Sequence, residues 1–273
     1  MRRERGRLRD GLVLVGLAAY ALPFFWQALT SLKPEAELMA LPPLLPSRLT
    51  GEHYRVVFEQ SVMLRAMVNS LGVGAITTVL ALTLGLGAAY AFARYAVPGK
   101  RFLLLLIVAG TAFPQIATVS PLYLLMRALE LRDTWLGLIL ANASFALPLV
   151  IWLLAGFLSE VPVQLEEAAA VDGAGRLRAF WWVILPLMAP GLASAALLTF
   201  LFSWNEFLFA YTFTATEASR TVPVALALFP GVFEVPWGDI AAASMLASLP
   251  PLVLVIALQL FLLRGLLAGA LRE

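Results

Sequence analysis

This chain of 273 residues has 61% hydrophobic side chains, 13% charged ones and a mean hydropathy of +0.88. A soluble domain of that length carries about 25% charged residues, so the composition points to a lipid bilayer as its solvent. Cysteine is absent and His53 is the single histidine, which excludes disulfides, thiol nucleophiles, thiolate metal sites and a histidine-based zinc cluster; the net charge of +2 gives no reason to expect a nucleic-acid partner.

Crossing about 30 Å of hydrocarbon takes about 20 apolar residues in a helix. Six stretches qualify: 12–32, 67–92, 102–126, 134–158, 183–213 and 240–263. The first follows a basic start, MRRERGRLRDGLVLVGLAAYA, in which Ala19-Tyr20-Ala21 imitates a signal-peptidase site. Its apolar character continues to Leu29, so it is expected to remain as an uncleaved span. Residues 33–66 then form a long connection, apt for docking a binding protein, in which His53 is expected to be solvated. Ala81, Gly85, Ala89 and Ala93 lay a stripe of small residues along the second span, suited to close helix packing. Tryptophans at 26, 135, 152, 181, 182 and 204 fall mostly near span ends, as interfacial anchors do. The segment 214–239, with Pro223, Pro230 and Pro236, is the second external candidate.

Orientation follows from the basic residues. With an inside amino terminus, 12 of the 19 Lys and Arg fall in inside segments, so both termini are expected in the cytoplasm. That topology puts the sequence EEAAAVDGAG, residues 166–175, on the cytoplasmic side between spans four and five. Ser159 is placed to cap a helix there, with Pro162 in its first turn, and the helix is expected over 163–173 with Glu166 and Glu167 early, where the dipole favours acids. Gly173 suits a left-handed stop. A second helix follows, with Leu177, Phe180, Trp181 and Ile184 on one face lying against the membrane. Three alanines, 168–170, keep the first helix free of bulk so that a partner surface can approach; the same block also reads as an ordinary loop with solvated acids.

Glu167-Ala168-Ala169, Gly173 and Leu185-Pro186 resemble the EAA signature of permease subunits of bacterial ATP-binding-cassette importers. The isoleucine of that signature falls on Val183, a departure, whereas Asp172, Ala174, Phe180 and Pro190 match its fuller carbohydrate-importer form. SLKPEAEL at 31–38, the prolines at 42–43, NSLGV at 69–73, AYAFARY at 89–95, FPQIATVSPLYLL at 113–125, WNEF at 204–207 and the GLLAGALRE ending extend the resemblance to maltose-type permeases of the inner-permease class over nearly the whole chain.

The resemblance implies an all-α membrane protein, one transmembrane domain over 1–273 with six spans and a cytoplasmic coupling helix between spans four and five. It implies half of the pathway of an importer in the bacterial cytoplasmic membrane, working by alternating access for a sugar, with a di- or oligosaccharide favoured. Glu167, Ala168, Asp172 and Gly173 would contact a dimer of ATP-binding subunits. A second, different permease and an extracellular solute-binding protein would complete the assembly. No phosphate-binding G-x-x-x-x-G-K-[ST] stretch occurs, so ATP and Mg²⁺ belong to the partner subunit and this chain is expected to bind no cofactor and to be no enzyme.

Glu206 is the one acid placed within a span, and with Asn205 it is a candidate for the translocation pathway; the structural reading, a carboxylate satisfied by a neighbouring span or close to the outer interface, is favoured over it. A cargo such as glycerol phosphate or a polyol stays open, although no basic residue lies well inside a span. A standalone carrier is the remaining class, and one intramembrane Glu with no evident repeat argues against it.

Overall fold

In a computed structural model that describes residues 2–38, 44–229 and 235–270, every regular element is helical. The prolines at 42, 43 and 230 and the tail residues 271–273 lie outside the described residues. The chain divides into two compact units, Met1–Leu64 with Ala225–Leu249, and Arg65–Val224 with Pro250–Glu273.

The first unit begins with α1 (Arg2–Thr30), whose apolar side chains from Leu12 to Phe25 are exposed on all sides. A helix apolar all round needs lipid or another helix as its solvent. Two short helices, α2 (Glu35–Leu38) and α3 (Glu52–Glu59), occupy the connection that reads as a loop in the sequence. The Tyr54 and Ser31 hydroxyls lie 2.9 Å apart, and the Glu35 N–H donates to Glu52 at 3.1 Å.

His53 is not solvated; it is 2% exposed. Its Nδ1 lies 2.7 Å from Oδ1 of Asp239, in the first turn of α14 (Trp237–Ala270), and its Nε2 lies 2.9 Å from the Lys33 carbonyl. Gly238 supplies the floor: any Cβ there would overlap the imidazole ring. The sequence pattern hides this because partners so far apart leave no local signal.

The second unit holds most of α4 (Ser61–Arg94), then α5 (Lys100–Ala109), α6 (Gln115–Ala128), α7 (Trp135–Glu160), α8 (Gln164–Val171), α9 (Arg176–Ala179), α10 (Leu185–Leu187), α11 (Ala189–Asn205), α12 (Leu208–Phe213) and the start of α13 (Val222–Ala227). The small-residue stripe does pack: Ala81 and Ala89 are fully buried, and a Cβ on Gly85 would strike Val150 of α7. Thr134 caps α7 by accepting the Gly137 N–H at 3.2 Å.

Two apolar stretches that read as single spans are broken. Lys100–Ala112 and Gln115–Ala128 meet at 89°, because Phe113 and Pro114 are both extended, the conformation that proline imposes on the residue before it. Arg176–Leu187 and Ala189–Asn205 meet at 72° around the Pro186 and Pro190 pair. Among the described residues four helices are long and apolar enough to cross a membrane, or up to six if each bent pair counts as one span.

Not every tryptophan is an interfacial anchor. Trp204 is buried and stacked on Phe200, and the Trp135 indole donates to Asn69 at 3.1 Å. The segment after α12 is tied down by side chains as well. Asn69 donates to the carbonyls of Glu217 and Arg220, at 3.1 and 2.8 Å. Asp133 accepts the N–H groups of Ala215 (2.9 Å) and Thr216 (3.1 Å) and the hydroxyls of Thr216 (2.7 Å) and Ser219 (2.5 Å).

Burial alone would raise the Asp133 carboxyl, but the hydrogen bonds from Ser219, Ala215 and Thr216 outweigh it and hold the group well below the usual carboxylate range. The stability it lends is therefore complete above about pH 4 and is lost as pH falls through the depressed folded-state value. Asp133→Ala is expected to cost about 3 kcal/mol at neutral pH. Thermal unfolding of the detergent-solubilised protein checks this: the gap between wild type and variant should be constant from pH 7 to about 5 and narrow only in strong acid.

Candidate functional site

The signature residues lie on α8 and the turn after it. No side chain caps the start of α8; Ser159, expected to do so, sits in the last turn of α7 and donates back to the Gly156 carbonyl at 2.7 Å. Glu166 and Glu167 fall in the first turn, where exposed N–H dipoles favour acids. The helix stops as the sequence indicates. Gly173 adopts φ +79°, the Ala174 N–H donates to the Ala169 carbonyl at 2.9 Å, and the Gly173 N–H donates to Ala170 at 3.1 Å. That pair of bonds is a Schellman stop, which consumes the last helical carbonyls.

Glu167, Ala168, Asp172 and Gly173 are all exposed, and so are the apolar Val163, Val171 and Leu177 beside them. The four residues share one short knob, with Asp172 at its C-cap. Such a surface offers carboxylates, methyl groups and little bulk.

What the sequence reading missed is the mount. Glu166 turns inward, taking the Tyr90 hydroxyl at 2.8 Å and pairing with the Arg94 guanidinium. Arg94 also donates to the carbonyls of Leu158 (3.3 Å) and Val161 (3.0 Å), so one side chain ties the end of α4 to the end of α7 and to α8. The Tyr90 ring meets Phe180 edge-on at 5.3 Å, which extends the contact to the segment beyond α8. In the sequence Arg94 is visible only as one positive charge among many.

The four residues that spacing puts on one membrane-facing side after the knob do not share one environment. Leu177 and Trp181 are exposed, at 78% and 61%, whereas Ala179, Ile184 and Met188 are buried. Phe180–Ile184 forms a π turn in which the Leu185 N–H donates to the Phe180 carbonyl. One extra residue in that turn rotates everything beyond it, and a count at 3.6 residues per turn loses register.

Asn205 and Glu206 stand at a further interruption, between α11 and α12. Glu206 lies beyond the end of α11 and outside any helix, 6% exposed. Its Oε1 accepts the Phe209 N–H at 2.7 Å and its Oε2 the Ala210 N–H at 3.0 Å, so its carboxylate is satisfied by the start of α12 rather than by a neighbouring span. Asn205 is exposed, its amide donating to the Leu201 carbonyl at 2.7 Å. Both residues line a recess of about 550 Å³ together with Gln115, Leu198, Phe202 and Phe207. Among the described residues no group of His, Asp or Glu is placed to hold a metal ion.

Residues 81–225 match the family of binding-protein-dependent transport system inner membrane components. The chain is similar to the trehalose transport system permease protein SugB of Mycobacterium tuberculosis, with 45% identity over 95% of this chain and 94% of that one. It is also similar to the trehalose/maltose transport system permease protein MalG of Thermococcus litoralis, with 34% identity over 97% and 98% of the two chains. A chain of a bacterial ABC transporter involved in the import of the acidic polysaccharide alginate superposes with a TM-score of 0.80 over 94% of this chain and 96% of that one; at 22% identity the likeness concerns the fold. By sequence over nearly its full length, and by fold, the chain belongs to the binding-protein-dependent transport system inner membrane components, a family of multi-pass transport permeases and not of enzymes.

Proposed function

We propose that this chain is one permease of an ATP-driven importer that carries a sugar, a di- or oligosaccharide, across the cytoplasmic membrane. The observation that carries the reading is the α8 knob: Glu167, Ala168, Asp172 and Gly173 point outward while Glu166 locks the base to Arg94. In this reading a dimer of ATP-binding subunits, which hold ATP and Mg²⁺, grips the knob. A second, different permease completes the pathway, and an extracellular solute-binding protein delivers the sugar. The whole chain forms one transmembrane domain, each bent helix pair counts as one of six spans, and both termini lie in the cytoplasm. Closure of the ATP-binding subunits moves the knob, and through Arg94 it moves the ends of α4 and α7; two packings of the bundle, each favoured by a different partner, then alternate the access. Asn205 and Glu206 lie beside the path of the sugar. The sugar assignment follows the trehalose and maltose systems of the similar permeases.

One experiment tests orientation and motor together. The chain has no native cysteine, so Asp172→Cys gives a single thiol. A membrane-impermeant maleimide is expected to label it in inside-out vesicles only, and a bound ATP-binding subunit should protect it. Labelling from outside intact cells would remove the motor's grip and the proposal with it.

A further inference from the structure

Gln115 is the first residue of α6, immediately after the break at Phe113 and Pro114. It lines the recess at Asn205 and Glu206, and it also lines an adjoining cavity of about 270 Å³ with Thr111, Phe145, Leu198, Thr199 and Phe202. The two broken stretches of the second unit thus meet at one side chain. Irregular backbone at membrane depth is tolerated only where protein buries it or where it lines a polar cavity, and here the cavity is present.

The chemistry of the wall is specific. Each Glu206 oxygen accepts one main-chain N–H and the residue is 6% exposed, so its carboxylate offers little surface to a solute. What remains is the Gln115 amide, which has no hydrogen-bond partner among the described residues, and the outer oxygen of the Asn205 amide. Phe207, 40% exposed and stacked on Tyr211 at 5.3 Å, adds an aromatic face. Amides that donate and accept, beside an aromatic ring and without a free charge, match a neutral polyhydroxylated ring: hydroxyls on its edge, C–H groups on its face. A phosphorylated solute would find no cation there.

We infer that Gln115, with Asn205 and Phe207, forms a sugar-contacting subsite at the meeting point of the two broken spans, and that Gln115 sets the apparent affinity of the transport step. This rests on the sugar-importer reading above and goes beyond it by assigning sugar contact, and a residue that makes it, to this permease.

The test uses the complete importer in proteoliposomes, with labelled trehalose and labelled maltose as probes. Gln115→Leu is expected to raise KM for uptake about tenfold while the binding protein still stimulates ATP hydrolysis; Leu124→Ala, on the exposed side of the same helix, should leave KM unchanged. Independently of assembly yield, Gln115→Cys should react with a hydrophilic thiol reagent, and sugar should slow the reaction. An unchanged KM in Gln115→Leu, or a Gln115→Cys thiol closed to the reagent in every nucleotide state, overturns the subsite alone. Failure of the wild-type importer to move either sugar overturns the sugar reading as well.

Discussion

Arg94→Gln is expected to cut uptake at least tenfold while ATP hydrolysis continues uncoupled from it. The Arg94 side chain is 8% exposed and that of its Glu166 partner 17%, so little water is available to replace the lost bonds. Removing one partner of a buried pair strands the other, at a cost of about 3 kcal/mol. Here the variant leaves the Glu166 carboxylate with the Tyr90 hydroxyl alone and frees the carbonyls of Leu158 and Val161 together. The knob then keeps its own helix and its Schellman stop but loses its mount, so a motor could pull it without moving α4 or α7. Arg94→Lys should restore little, because one ammonium cannot span a carboxylate and two carbonyls. Parallel measurements of uptake, ATPase rate and thermal midpoint check this; full coupling in Arg94→Gln would show that force passes elsewhere.

Ala168→Trp should act in the opposite way, sparing the fold and breaking the assembly. Ala168 is exposed, so the ring meets solvent in the isolated chain and costs only the difference in helix propensity, about half a kcal/mol. At a close-packed contact the same bulk is an overpacking error of about 1 to 3 kcal/mol, or roughly five- to 150-fold in affinity. Co-purification with the ATP-binding subunit and sugar uptake should both fall, with the thermal midpoint of the isolated chain unchanged. Normal recovery of the complex would mean that no partner approaches this face.

Much of this was legible in the residues, and the gaps have physical causes. Apolar stretches mark where oily helices lie, and Trp135–Glu160 follows its pattern closely. Hydropathy, however, is blind to direction: the bend at Pro114 and the break at Glu206 leave the apolar content of their stretches unchanged. The knob was readable because its helix, its glycine stop and its acids are local features. Its mount was not, since Arg94 and Glu166 are 72 residues apart. Gln115 escaped for the same reason: an amide within an oily run acquires meaning only when the fold sets a second broken helix beside it. The π turn defeated periodicity itself, since the count assumes a constant pitch.

The imidazole of His53 joins chain positions 186 residues apart in a protein that has no cysteine. It does the work of a crosslink without needing an oxidant, and its strength is independent of the redox poise around it. A covalent bridge would fix the first turn of α14 permanently to the segment bearing Lys33. This non-covalent staple can release that turn and take hold of it again, so the last long helix keeps a defined resting place without being riveted to it.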